Sequence, residues 1–594
     1  MTIFAGVFLR RPGQSIPAEL INELRFSISR HPDDVSNVQE YVDDRVCLLK
    51  TDIGALGESG EFSNADITAF IAGDPILQNG NDAAPLSRKE SLQMIAGDLA
   101  TGKQDILRLC RGIYCALAYE KTRQKLHLLT DKLGVRPIYI WVLADYIIFS
   151  TALRILEAIS LFRKAVDPQG VAEIACFGYP LSDRSPYENI YTLHAGEVWS
   201  CGINEFKRQR YWRWDNLPES TKFKAIPDEK LPERLYRIFM DAIRIRLRKQ
   251  KAVAAFLSGG LDSRAVVAAL QASGTNVFSA NFSTPGSQDF VFSQLAAKRI
   301  GVAHFSHLQF RPLVKGDPYG KASVREWLNS AEFLDHGPQR PSVVWSGDGG
   351  SVGLGHVYLN TDIIQAACAH DFKKAVTLFM TYNQWSTSTK LFNSSFGSTF
   401  IALIEKGIQA EIESIQPADP SRIFYLFLLL NDQRRHMFNH FENMDLTRIE
   451  FEEPFYDTDF IEEIVRHPTD SFLYHNFYLE WLKCFPRNLG VLEVPWQAYP
   501  NHIPCLLPQP DGLSYQWDKK ISSEQIKKRR YAALQKAKIL LNEPGFSKKY
   551  LNIGYMRLFM LLMRLGKADR SYWVHAPSVL HRYWSRADSI NKPN

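Results

Sequence analysis

The stretch VAAFLSGGLDSRAVVAAL, residues 253–270, constrains this chain more than any other. An apolar run of strand length enters Ser258-Gly259-Gly260, passes Leu261, Asp262 and Ser263, and leaves as an Ala/Val/Leu run of helical length. That order predicts a strand, a tight turn and a helix beginning near Asp262. Such a turn sets backbone N–H groups beside a helix N-terminus, the arrangement that receives phosphate. Gly259 and Gly260 allow close approach, and Ser258 and Ser263 offer hydroxyls. Asp262 stands where a magnesium ligand would help to neutralise a triphosphate. The pattern GxxxxGK[ST] is absent, so this is not the lysine-bearing type of phosphate loop.

The surroundings give the loop a context. Upstream, Leu231, Leu235, Ile238, Phe239, Ala242 and Ile245 recur at helical spacing and predict a helix of about five turns. Downstream, a helix over 262–273, a strand over 277–283, a helix near 289–300 and the strand-like VAHFSHLQF follow in turn. Strands alternating with helices predict a parallel sheet. The first two hundred residues read instead as short strands joined by turns, as in KLHLLTDKLGVRPIYIWVLADYIIFSTAL. Beyond residue 360 the pattern is mainly helical. The final eighty residues carry one basic amphipathic helix, with Ile526, Ala533, Leu534, Ala537, Leu540 and Leu541 on one face.

At 594 residues the chain is too long for one core. The changes of pattern divide it into 1–215, 225–515 and a basic extension, 516–594. Its 45% apolar and 23% charged residues are ordinary for a water-soluble protein, and no apolar run reaches membrane-span length. Eight cysteines without a CxxC pair suggest neither a disulfide scaffold nor a zinc site. The order of the first residues is wrong for a secretory signal, so a cytoplasmic location is expected. The net charge of +6 is concentrated near the C-terminus, where ten Lys and Arg between Lys519 and Lys549 face only Glu524 and Glu543. That segment packs as a solvated helix on the middle domain, or meets an acidic partner or an anionic membrane surface. Nucleic acid is not expected as a partner.

SGGLDS after an apolar strand resembles the pyrophosphate loop of ATP pyrophosphatases. SGDGGSVGLG (346–355) resembles the second ATP-site loop of asparagine synthetases, and IEFEEPFYD (449–457) resembles their E-x-R-x-P-F-L-D segment. LLTDKLGVRPIY and IIFSTAL are similar to patterns in the glutaminase-type domain of the same family, and NIYTLHAGEVWSC with YWRWD to its end. The chain thus resembles the asparagine synthetase superfamily over roughly residues 1–460. The fold implied is α/β: an N-terminal α+β sandwich of the N-terminal-nucleophile hydrolase type, then a parallel-sheet synthetase domain of the adenine-nucleotide α-hydrolase type, then a helical C-terminal region. A homodimer is one assembly that the resemblance allows.

The resemblance implies that Ser258, Gly259, Gly260, Asp262 and Ser263 cradle pyrophosphate. It implies that Leu257, Ala280, Ser346 and Gly347 flank the nucleotide, that Asp348 supports adenylate formation, and that Glu450 lies near the amine. ATP and magnesium would be the cofactors, with Asp262 as the identified metal ligand. Three departures accompany these matches. Ala5-Gly6-Val7-Phe8 best fits the start of the glutaminase domain and sets Ala5 where the nucleophilic Cys belongs, with Thr2 out of register. A methyl group cannot attack an amide, so the glutaminase half reads as inactive. Gly350-Ser351-Val352 replaces the acidic region expected after Asp348. The lysine that steadies the adenylate is missing, with Lys483 and His475 as stand-ins.

The chemistry expected is transfer of AMP from ATP to a carboxylate, release of pyrophosphate, and attack by an amine or ammonia to form an amide. The carboxylate substrate is a small molecule or a peptide. Two alternatives stand beside this reading. One is a macrolactam synthetase of the lasso-peptide or β-lactam type, which uses an amine already in its substrate. The other is a non-catalytic ATP-binding relative. The pairs His304/His307 and His436/His440 read as structural histidines, Asp289 as a helix cap, and Arg434 and Arg435 as a solvated face.

Overall fold

A computed structural model of the chain describes residues 2–80, 84–203, 205–217, 230–281, 283, 285–306, 327–328, 337–499, 502–515, 523–566 and 569–588. Its first part is built from strands β1 (Thr2–Leu9), β2 (Gln39–Val42), β3 (Val46–Asp52), β4 (Glu61–Ser63), β5 (Ile67–Gly73), β6 (Tyr114–Glu120), β7 (Lys125–Thr130), β8 (Tyr139–Val142), β9 (Tyr146–Ser150), β10 (Ile190–Thr192), β11 (Glu197–Cys201) and β12 (Phe206–Arg210). They form two six-stranded sheets, ordered β10-β8-β9-β1-β3-β2 and β12-β11-β7-β6-β5-β4, whose neighbouring strands run antiparallel. Alternation along β1 explains the layering: Phe4 and Phe8 join Leu117, Leu128 and Trp199 in one buried cluster. Ile3, Ala5 and Val7 join Leu20, Leu24 and Leu92 in another, under the outer helices.

The second part is a five-stranded parallel sheet of β13 (Ala252–Phe256), β14 (Asn276–Asn281), β15 (Ala303–Ser306), β16 (Val343–Trp345) and β17 (Glu450–Glu452), in the order β15-β14-β13-β16-β17. Helix Leu231–Leu247 leads into β13, helix Asp262–Ala272 joins β13 to β14, and helix Gln288–Ile300 joins β14 to β15. The observed α/β class, with antiparallel sheets first and a parallel sheet after them, is the one expected. The expected division near residues 215–225 lies mostly outside the described residues, as does His307.

Buried arginines tie the two parts together. Arg111 and Arg246 both pair with Asp457, at 3.0 and 2.7 Å. Burial pushes the Asp457 carboxyl up, and the two guanidiniums overcome it and hold the group below its ordinary range. Arg434 donates to the carbonyls of Gly134, Ser182 and Leu193, while Arg435 donates to those of Ser182 and Arg184. Both are buried, so the solvated face expected for this stretch is corrected: these residues clamp the second part onto the first. They follow a wide-turn helical segment, Leu428–Gln433, which also presents Asn431 to Ser182 N (2.8 Å) and Asp432 to the Tyr179 hydroxyl (3.0 Å).

Among its described residues the C-terminal extension holds four α-helices, Ser523–Leu541, Pro544–Tyr550, Ile553–Leu565 and His575–Asp588, and a short 3-10 turn, Ser571–Val574, where one helix was expected. Pro544 lacks the N–H that a continuing helix would need, and it opens the second of these. The extension contacts both parts of the chain and not the synthetase-like part alone. Arg586 pairs with Glu157 (2.6 Å) and Tyr583 meets Tyr187, while Asn393 N donates to Tyr550 O (2.9 Å).

Candidate active site

The chain runs outward from β13 through helix Asp262–Ala272 to β14 and on to β15, and then resumes on the other side of β13 with β16. The loops after β13 and β16 therefore leave neighbouring strands at a point where the strand order reverses, which is where open parallel sheets bind ligands. The first loop is Ser258–Leu261; the second begins at Ser346, Gly347, Asp348 and Gly349. Leu257 N donates to Ala280 O at 2.9 Å, so those two predicted residues sit together at the C-terminal ends of β13 and β14. Ser346 N donates to Glu452 O at 2.9 Å and fixes the start of the second loop to β17.

Inside the first loop the two serines are turned toward each other. Ser258 N donates to Ser263 Oγ at 2.8 Å, and the two hydroxyl oxygens lie 2.9 Å apart. Gly260 N donates to Ser258 Oγ at 3.2 Å. The glycines are there for space: a Cβ on Gly259 would lie 2.7 Å from Asp289 Cα, and one on Gly347 would lie 2.4 Å from Ser263 N. The second contact means that the two loops touch backbone to backbone.

Asp262 sets how those loops are joined. Its carboxylate accepts from Ser351 N (3.0 Å), from Ser351 Oγ (2.8 and 2.7 Å to its two oxygens) and from the Tyr478 hydroxyl (2.7 Å). Burial pushes its carboxyl above the ordinary range despite these donors. A Cβ on Gly350 would lie 2.7 Å from Asp262 Cγ, so the carboxylate is closed off on that side as well. These residues do not fit a magnesium ion held by the protein. Magnesium prefers six oxygens at near-octahedral geometry, and here one carboxylate already takes several hydrogen bonds, with a serine where a second carboxylate would stand. No group of three or more His, Cys, Asp or Glu suited to a metal occurs among the described residues. Asp262 is thus an acceptor that joins one loop to the other.

Asp348 is half-buried and accepts from Ser346 Oγ at 2.6 Å. It lies close enough to Asp262 for its charge to raise that carboxyl. Glu450 is placed differently. It lies at the start of β17, in register with Val343, two residues before the strand end that meets Ser346. Its carboxylate accepts from Arg136 and from Phe451 N (3.1 Å), so it belongs to the ties between the two parts.

Four features of the site were missed or misread in the sequence. Ser287 is the helix cap, accepting from Phe290 N at 3.2 Å, and Asp289 instead accepts from Gly259 N at 2.7 Å. Arg264 is fully buried and donates to the carbonyls of Val491, Val494 and Pro495 at 2.7–3.0 Å. Burial pulls its guanidinium down to about 10. With Gln497 N donating to Gly259 O at 3.0 Å, this clamp folds the segment 491–497 over the first loop. Lys483 is exposed and pairs with Glu480, so it is no stand-in for an adenylate-steadying lysine. His475 is near the site, stacked on Tyr499 and beside Tyr478 and His502, and burial holds it neutral with a pKa of about 3. Tyr474 and His475 both have positive φ, 63° and 64°, a strained pair of the kind that accumulates at functional sites. The one signal that could have exposed this wall is its density of His, Tyr and Trp.

The first part carries its own site question. Ala5 is an interior residue of β1, paired with Leu49 and Ser150 and buried in the core. The head of the strand is Thr2. Its hydroxyl donates to Asp52 (2.6 Å) and accepts from Arg88 (2.7 Å). The Arg88 guanidinium also donates to Gly73 O, Glu58 O and Ile71 O, filling the space beside that hydroxyl.

Comparison with known proteins agrees with this layout. A glutamine amidotransferase domain family matches residues 94–212, and the asparagine synthase family matches residues 234–312. A putative glutamine-hydrolysing asparagine synthetase of Methanocaldococcus jannaschii is 27% identical over 290 residues, covering 44% of this chain and 55% of that one. An amidase of Gibberella zeae is 25% identical over 158 residues, 26% of this chain and 23% of its own. An asparagine synthetase of Bacillus subtilis is 26% identical over 173 residues, 28% of this chain and 26% of its own. The chain thus spans about half of the first relative and about a quarter of the other two. Both families match in this order on two differently built parts of the chain, a glutamine amidotransferase domain before an asparagine synthase domain.

Proposed function

We propose that the chain is an ATP-dependent amide-forming ligase that activates a carboxylate as its acyl-adenylate and releases pyrophosphate. The observation that carries this reading is the backbone contact of the loops after β13 and β16, Gly347 against Ser263, at the reversal of the sheet. Ser258–Ser263 would hold the pyrophosphate end of ATP, with Leu257, Ala280, Ser346 and Gly347 beside the nucleotide. Asp348 would act on the reacting centre by taking up the amine proton or by orienting the phosphate. A magnesium ion would come to this site on the triphosphate's own oxygens and not in a protein cage. Glu450 serves as a positioning residue through Arg136.

The amine belongs to the substrate or comes from free ammonia. The absence of a thiol at Ala5 supports that choice, since a methyl group cannot attack an amide. A macrolactam-forming reaction fits this arrangement, with the wall around His475 and Tyr499 as the acceptor pocket. Carboxylate-dependent exchange of labelled pyrophosphate into ATP tests the proposal. Exchange with an amino acid or peptide carboxylate is the expected result. No exchange with any carboxylate, together with intact ATP binding, would leave a non-catalytic relative as the better reading.

A further inference from the structure

The helix Ile553–Leu565 is apolar on almost every face, yet only one face is covered. Met556, Phe559 and Met563 are buried, whereas Leu558, Leu561 and Leu565 are 46%, 51% and 57% exposed. At helical spacing those three leucines fall within about 60° of arc, opposite the buried side. Arg557 and Arg564 border the stripe, both exposed and neither in an ion pair among the described residues. At its C-terminal end lies Asp569, whose carboxyl is held below its ordinary range by Ser571 first and by Arg530 and Arg529 after it. The exposed ring of Tyr572 stands close by in sequence.

We infer that this face docks on an anionic lipid surface, with the leucines entering the headgroup boundary and the arginines meeting lipid phosphates. The inference does not rest on the ligase reading. Charge selects the occupant: between Ser523 and Asp588 the chain carries fourteen Lys and Arg against four Asp and Glu. A second copy joined about a two-fold axis would set that charge against itself. A nucleic acid would use the arginines and leave the leucines in water, whereas an anionic bilayer takes both. The helix is about 20 Å long, too short to span a bilayer, and no described helix is long and apolar enough to cross one. It lies on the surface.

Flotation of the full chain with vesicles tests this. The chain should float with equimolar phosphatidylcholine and phosphatidylglycerol, and about tenfold less with phosphatidylcholine alone or at high salt. Replacing Leu558, Leu561 and Leu565 together by Ser should cut flotation by about tenfold with the thermal transition unchanged, since these side chains are exposed. Arg557→Gln with Arg564→Gln should lower it in the same direction. Three results would overturn the inference: no flotation of the native chain, equal flotation of the leucine variant, or a native dimer that the leucine variant converts to monomer.

Discussion

Asp262 joins two loops that lie far apart in sequence. A carboxylate two positions after a glycine pair invites a metal assignment, but its oxygens are taken by Ser351 and Tyr478, from 89 and 216 residues away in sequence. Asp262→Ala would leave two hydroxyls and an amide unpaired inside the protein. It should cost about 3 kcal/mol in urea unfolding and abolish pyrophosphate exchange, whereas full exchange in the variant would place the nucleotide elsewhere. Glu442 offers a test of burial on its own. It is fully buried, and burial raises its carboxyl from 4.5 to about 7 against the pull of Tyr139 and Leu153. The folded state therefore holds a proton that the unfolded chain releases. Stability from this group is present below about pH 4.5 and is lost as pH rises through about 7, to a total of about 3 kcal/mol. Melting curves of Glu442→Gln should lose that slope between pH 5 and 8; an unchanged slope would assign the proton to another group.

At the scale of elements, local pattern was a good guide and distant pairing was not. The strand, turn and helix around SGGLDS lie where their apolar runs and glycines imply, because every signal involved is within a few residues. Helix Leu231–Leu247 and helix Gln288–Ile300 were legible for the same reason. Asp289 was misread because its partner, Gly259 N, is 30 residues away and a cap was the nearest local explanation. Arg434 was misread because a charged residue in a helix is usually solvated, and only the packing of the first part puts three carbonyls around it. The segment 491–497 had no local signal, since Arg264 holds it through carbonyl groups that any sequence possesses. Arg264→Leu should leave those carbonyls unpaired, cost about 3 kcal/mol and speed hydrogen exchange across 491–499 more than elsewhere. Uniform exchange would mean that the segment is held by other contacts.

The whole molecule joins an antiparallel sandwich to a parallel sheet. Arg111, Arg136, Arg434 and Arg435 cross between them, so the first part supports the second through buried cations and carbonyls. Arg88 ties the head of β1 to β5 through the Thr2 hydroxyl and the Ile71 carbonyl. The central claim is that the loops after β13 and β16 together hold one ATP, and it can be tested without knowing the carboxylate. Calorimetric titration with α,β-methylene-ATP should show one binding event in the native chain. Gly347→Ala, whose added methyl would meet Ser263 N at 2.4 Å, should weaken it by at least about tenfold while the protein stays folded. Equal binding by the two proteins, or no binding by the native chain, would contradict the account.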